Sequence, residues 1–260
     1  MTGVALRELR LLLWSPSGAL LLAVWTFLCG ALFLLELTAF EQAEQRALQL
    51  GDPAVLALLD FNDLLLASVN NHLVVVLLFL GPLIGARLYA DGPTRDWMLH
   101  ACPSLWMVVY GKLYAGIIVM AALVAVTLGL PFFLMMAGQG AAQQASAVVV
   151  DVGQTLLSMI TVWLAGVSFI SVGAAIAART NTPLAAALGS FLLLLVLWLL
   201  PGAAGLLGPG LADVAVFLSP ASHVENGLRG VLCAADVLWF LTVIASSCVA
   251  CGVALDGARR

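Results

Sequence analysis

Long apolar runs alternate with short polar breaks along the whole chain. Counting windows of about 20 apolar residues, the length a helix needs to cross the hydrocarbon core, gives six spans, at about 17–38, 65–89, 108–136, 148–178, 184–206 and 236–255. The third and fourth exceed the crossing length, so they can tilt, kink or project into water. Pro82 in the second and Pro131 near the end of the third are expected kink sites. The pattern therefore predicts an all-α membrane protein with six transmembrane helices, residues 1–260 forming one domain. No internal repeat and no low-complexity linker divides it.

Ahead of the first span stands VALRELRLLLW. Arg7 and Arg10 are three apart and share a helix face, while Leu6, Leu9 and Leu13 fall on another, which suits a short helix lying in the membrane surface. Trp14 belongs at headgroup depth, and Pro16 stops or redirects the helix. The alternative, that these are the first turns of a longer span, runs against Pro16. Arg7 and Arg10 before an apolar run also invite a signal-peptide reading. The run from Ser17 to Leu37 is longer than a signal h-region, and Phe27-Leu28-Cys29 lacks the small residue of a lipoprotein cleavage site, so the span is read as retained.

Composition changes the picture from six apolar runs to a protein that needs lipid as solvent. The chain is 63% hydrophobic and 9% charged, against about 25% charged in soluble domains. Lysine and arginine then orient it. With the N-terminus in the cytoplasm, the inner segments hold Arg7, Arg10, Arg87, Arg95, Lys112, Arg179, Arg259 and Arg260, and the outer ones only Arg46 and Arg229. This positive-inside bias places both termini in the cytoplasm. The localisation expected from these features is a membrane, crossed several times. The net charge of −4 adds little, and no nucleic-acid partner is expected. After the first span Glu41, Glu44, Asp52, Asp60 and Asp63 face a single Arg46, and are read as a solvated outer loop. Asp151, near the outer end of the fourth span, is expected to reach water. Cys248 and Cys251 form a CxxC inside an apolar helix, with no His/Cys cluster beside it. The five cysteines are therefore read as packing residues.

Two polar segments interrupt the oil. Between spans two and three lies ARLYADGPTRDWMLHACPSLWMVVYGK. Pro93 and Pro103 bracket about three helical turns; Thr94 can cap them and Asp96 sits well in the first turn. Trp97 and Met98 add a bulky apolar patch. Two readings stay open: a docking knob for a soluble partner, or an interfacial helix with Trp97 and Trp106 anchored among headgroups. The second segment is SPASHVENGLRGVLCAADVLWF, residues 219–240. Ser222-His223-Val224-Glu225 has the capping-box pattern, so a helix is expected to start there, after Pro220. Glu225 and Arg229 are a favourable i,i+4 pair, and Asp236 is expected to cap the last span. Upstream, LADVAVFL is too short to cross. The region reads as a helix-turn-helix on the outer face that can dip into the membrane where protein or a water-lined cavity surrounds it. It can gate the outer mouth, meet an extracytoplasmic accessory protein or seal the bundle, and the seal is favoured, since capping already accounts for Ser222 and Glu225.

Both segments resemble one family. Permeases of ABC-2 type transporters have a surface helix, six spans and, in the first cytoplasmic loop, an acidic stretch, a Gly-Thr-x-Glu-like segment, Leu-x-x-x-Pro and then Gly-Lys opening span three. Here stand Asp91, Gly92, Thr94, Asp96, Leu99, Pro103 and Gly111-Lys112, with Pro93 splitting the Gly-Thr. The gliding-motility-type subgroup carries Ser-Pro-x-x-His-Phe, then Arg-Gly-Val-Ile-Asp and Asp-Val-x-Tyr-Phe. This chain has Ser219, Pro220, His223, then Arg229-Gly230-Val231-Leu232, then Asp236-Val237 and Phe240, with Val224, Cys233 and Trp239 as departures. The opening RELRLLLWSPSG is also similar to that subgroup's. The resemblance implies that the loop is a coupling helix fitting a groove of an ATPase, through Asp91, Thr94, Asp96, Trp97, Met98, Leu99 and Pro103. It also implies a second permease, as homodimer or heterodimer, and ATP with Mg on the partner ATPase.

The chain itself contains no Gly-x-x-x-x-Gly-Lys-Ser/Thr, because Trp106 stands five before Gly111, so no cofactor and no enzymatic activity are expected of it alone. The intramembrane-enzyme alternative finds no support in motif: Gly166-Val-Ser168-Phe-Ile170 is not GxSxG, and no HExxH occurs. Asn70-Asn71-His72 in span two is read as lining a path or a subunit interface, not as a metal site. Gly166, Ser168, Ser171 and Gly173 in span four are expected to let helices approach closely. The function expected is the membrane subunit of an exporter driven by a separate ATPase, the alternative being a non-transporting scaffold for mechanical signalling by a bound ATPase. The substrate is not legible.

Overall fold

A computed structural model describes residues 2–51, 60–89, 104–141, 151–180, 182–206 and 208–259. The expected coupling segment, with Asp91, Thr94, Asp96, Trp97, Met98, Leu99 and Pro103, lies outside the described residues. Those described are almost all helical, with no strand among them. α1 (Thr2–Leu13) is followed by α2 (Pro16–Leu50). α3 (Ala67–Tyr89) is preceded by a continuous π-helical turn (Asn62–Leu66). Then come α4 (Leu105–Ala141), α5 (Val152–Ala177) and α6 (Pro183–Ala203). The short helices α7 (Pro209–Leu218) and α8 (Pro220–Leu228) lead to α9 (Ala234–Arg259). Six of these helices are long and apolar enough to cross a membrane, which makes the chain a multi-pass membrane protein.

Prolines set the starts. Pro16, Pro183, Pro209 and Pro220 each occupy the first turn of a helix, where their missing N–H costs nothing. The α1–α2 elbow falls at Trp14-Ser15, and the Ser15 hydroxyl accepts from the Gly18 amide at 3.1 Å. α2 runs well beyond the apolar stretch. The segment through Glu41, Glu44 and Arg46 expected to be loop is helix as far as Leu50, because it is rich in Ala, Glu, Gln and Leu, all good helix formers. Gly51, at φ 66°, ends it. Asp151 is exposed, as expected, and caps α5 by accepting from the amides of Gly153 and Gln154 at 2.8 and 3.1 Å.

The bundle is built around α5. In its most apolar stretch 72% of residues are buried, against 22% in α2, α6 and α9, whose outer faces are left for lipid. α3 lies directly on α5 because small residues remove the side chains between them. A Cβ on Gly173 would stand 2.7 Å from the Pro82 Cα and O, and one on Gly85 would stand 2.7 Å from the Ala174 nitrogen. Backbones this close gain dispersion contact over the whole crossing, the main attraction available between helices in lipid. α2 is fastened to α4 through Trp25, which is fully buried and whose indole N–H donates to the Leu123 carbonyl (2.9 Å) and the Thr127 hydroxyl (3.2 Å).

Candidate functional site

The polar segment after α6 forms a clamp at the end of the bundle far from α1. Its helix starts earlier than the capping-box reading expects. Ser219 is the cap, accepting from the Ala221 amide at 3.2 Å, and Ser222 lies inside α8. Pro220 at N1 fixes this choice, since its locked φ is already helical. Asp236 likewise is not the cap of α9. It lies in the first turn, one turn past the Cys233 carbonyl that accepts the first helical bonds. Its carboxylate is instead 2.7 Å from His223 Nδ1.

His223 is the centre of the clamp. Its Nε2 lies 2.9 Å from the Phe217 carbonyl at the end of α7, and its ring stacks on Trp239 of α9 at 4.7 Å. Both ring nitrogens lie within hydrogen-bond reach of an oxygen, so the one ring ties α7, α8 and α9 together. α8 is seated on α5 through absent side chains: a Cβ on Gly227 would overlap Thr161, and one on Gly230, at φ 81°, would overlap Gln154. Glu225 and Arg229 form the expected i,i+4 pair at 3.4 Å, but both are about two-thirds exposed, and such pairs contribute a few tenths of a kcal/mol. These observations give the segment a structural job, tying α7, α8 and α9 to one another and to α5.

Beside the clamp is a cavity of about 370 Å³ between α3, α6 and α8. Asp63, Ser68 and Asn71 enter from the α3 side, Trp198 from α6, and Glu225 and Arg229 from α8. Asp63 is held by the Gln154 amide at 2.5 Å. A second crevice, of about 530 Å³, opens between α5, α6 and α9. It is apolar in effect, because the hydroxyls of Ser168, Thr242 and Ser246 on its wall donate to carbonyls of their own helices.

The triplet in α3 divides. Asn70 is buried and donates to the Ser158 hydroxyl at 3.0 Å, leaving its Oδ1 without a partner. Asn71 and His72 are exposed, Asn71 to the 370 Å³ cavity and His72 toward α2, where Nδ1 lies 3.3 Å from Glu36. The three residues therefore do not act as one site. Among the described residues no group of three or more His, Cys, Asp or Glu could hold a metal ion.

At the opposite end α1 is fastened by a pair that sequence reasoning missed. Glu8 and Lys112 are both more than nine-tenths buried, with Nζ 3.4 Å from Oε1. Nζ also donates to the Leu88 carbonyl and lies 4.9 Å over the Tyr89 ring. The signal was present: a lysine within an apolar run needs a partner, and Ala5, Glu8 and Leu12 share the buried face of α1. Arg7, Arg10 and Trp14 point outward, Trp14 with 87% of its surface exposed. Neither a family model nor a curated protein sequence matches this chain.

Proposed function

We propose that the protein is the membrane subunit of an ABC-2 type exporter in the bacterial cytoplasmic membrane, with both termini inside. Two such permeases, identical or different, pair around a path, and each carries an ATPase beneath it. In this reading ATP-driven closure of the ATPases pushes on the segment around Asp91–Pro103 and on α1, and the push reaches the spans.

The observation that supports the reading most is the fastening at the α1 end. Lys112, two turns into α4, reaches back to Glu8 on α1. α1, one of the two parts an ATPase would press on, is thus joined through one buried pair to the helix that follows the other in sequence, which supports the reading beside the sequence similarity already described. The far-end clamp fits the same scheme as the part that closes the exit, His223 and Asp236 holding it shut between cycles.

The test is affinity purification from native membranes. The chain is expected to bring down a polypeptide that hydrolyses ATP, and Trp97→Glu with Met98→Glu is expected to lose it while the membrane part keeps its thermal stability. Unchanged co-purification from the double variant refutes the docking segment. ATP hydrolysis by the purified chain alone refutes the whole reading.

A further inference from the structure

The cavity between α3, α6 and α8 differs from the rest of the membrane region in what its walls leave unused. Ser168, Ser171, Ser190, Thr242 and Ser246 satisfy their hydroxyls on carbonyls of their own helices. In the cavity, among the described residues, Asp63 uses only Oδ1, for Gln154, and Arg229 makes one long contact, to Glu225 at 3.4 Å, out of five donors. The Asn71 amide and the Ser68 hydroxyl face the same space with no hydrogen bond of their own among the described residues. Both signs of charge are present, with an indole from Trp198 as the apolar wall. A volume of about 370 Å³ is at the small end of ligand sites, which run from about 300 to 1,000 Å³.

We propose that this cavity binds a small zwitterion, a primary ammonium and a carboxylate or phosphate held a few bonds apart in one molecule. The ammonium goes to Asp63, with the Asn71 carbonyl and the face of Trp198 beside it, since carboxylates and indole faces both attract cations. The anionic group goes to the Arg229 guanidinium, whose planar fork suits two-oxygen acceptors. Neither a simple cation nor a simple anion satisfies both walls. Ammonium-plus-anion chemistry is shared by free amino acids or dipeptides and by a phosphatidylethanolamine headgroup. The proposal does not depend on an ATPase.

Calorimetric titration of the purified chain in a non-ionic detergent tests it, with dialanine and glycerophosphoethanolamine as probes. Saturable binding of at least one is expected. Dialanine as the better ligand points to a soluble solute; glycerophosphoethanolamine as the better one points to a lipid headgroup. N-acetyl-dialanine, which lacks the ammonium, and dialanine amide, which lacks the carboxylate, are each expected to bind about tenfold or more weaker than dialanine if that is the ligand. Asp63→Asn and Arg229→Gln, both at exposed positions, are expected to weaken the bound probe about as much, with thermal unfolding confirming that each variant is folded. The proposal is overturned if neither probe saturates in the millimolar range. It is also overturned if the blocked derivatives bind as well as dialanine does, or if folded Asp63→Asn and Arg229→Gln bind like the parent. Because no nucleotide or partner enters the assay, its failure leaves the exporter reading standing, and loss of ATPase docking leaves this one standing.

Discussion

Glu8 and Lys112 are separated along the chain by two spans, yet each is nearly inaccessible and each faces the other. Removing one partner leaves a charge buried without its counter-charge, which costs about 3–5 kcal/mol, whereas replacing both by apolar residues of similar size is often neutral. Glu8→Gln and Lys112→Met are therefore each expected to lower the thermal unfolding midpoint in detergent sharply, and the combined Glu8→Leu, Lys112→Met variant to recover most of it. A combined loss equal to the sum of the two single losses would show that the two side chains act separately. His223 poses the same question at the far end. His223→Ala strands the Asp236 carboxylate and the Phe217 carbonyl, at about 1.5–3 kcal/mol for hydrogen bonds to a charged group.

That loss is expected to be local, which makes it a matter for the helices rather than the residue. α7 and α8 are too short to cross the membrane and are held to α9 by His223 and to α5 by Gly227. Faster amide hydrogen exchange across 209–233, with α5 unchanged, is the expected readout for His223→Ala. The α3–α5 crossing is the contrasting case, with glycines on both faces meeting backbone directly. Gly173→Val must push against the Pro82 backbone, which cannot rotate away, so the crossing has to open. A loss of about 1–3 kcal/mol or more is expected, read as a lower unfolding midpoint. Gly189→Val is the matched control, since a Cβ there meets only Ile176 at 4.0 Å. The six apolar spans were the most legible feature of the sequence, and where the expected helix ends failed the reason is physical. The capping box at Ser222 lost to Ser219, because proline at N1 outranks a side-chain pattern three residues later. The acidic stretch after the first span reads as loop by charge, but its helix propensity carries α2 on to Leu50.

For the molecule as a whole, orientation is the open physical question that a label can answer. Cys29, Cys248 and Cys251 are buried and Cys233 is exposed at the far end, beyond α8. With Cys102 replaced by serine, a membrane-impermeant maleimide is expected to modify intact cells at Cys233. Modification only after permeabilisation would reverse the orientation drawn from the arginines. Six crossings, an elbow before the first of them and a polar break before the last are determined by the sequence alone, because solvent preference and proline geometry act over a few residues at a time. The inward face of each helix is a different matter. A helix meant for lipid is apolar all round, so no periodicity marks the side that packs. Only the tertiary structure decided that Gly85 meets α5, that Lys112 turns to Glu8 and not to water, and that Asp63, Trp198 and Arg229 line one cavity. Those choices depend on close backbone approach and on charge finding charge across residues distant in the chain, and neither leaves a local trace.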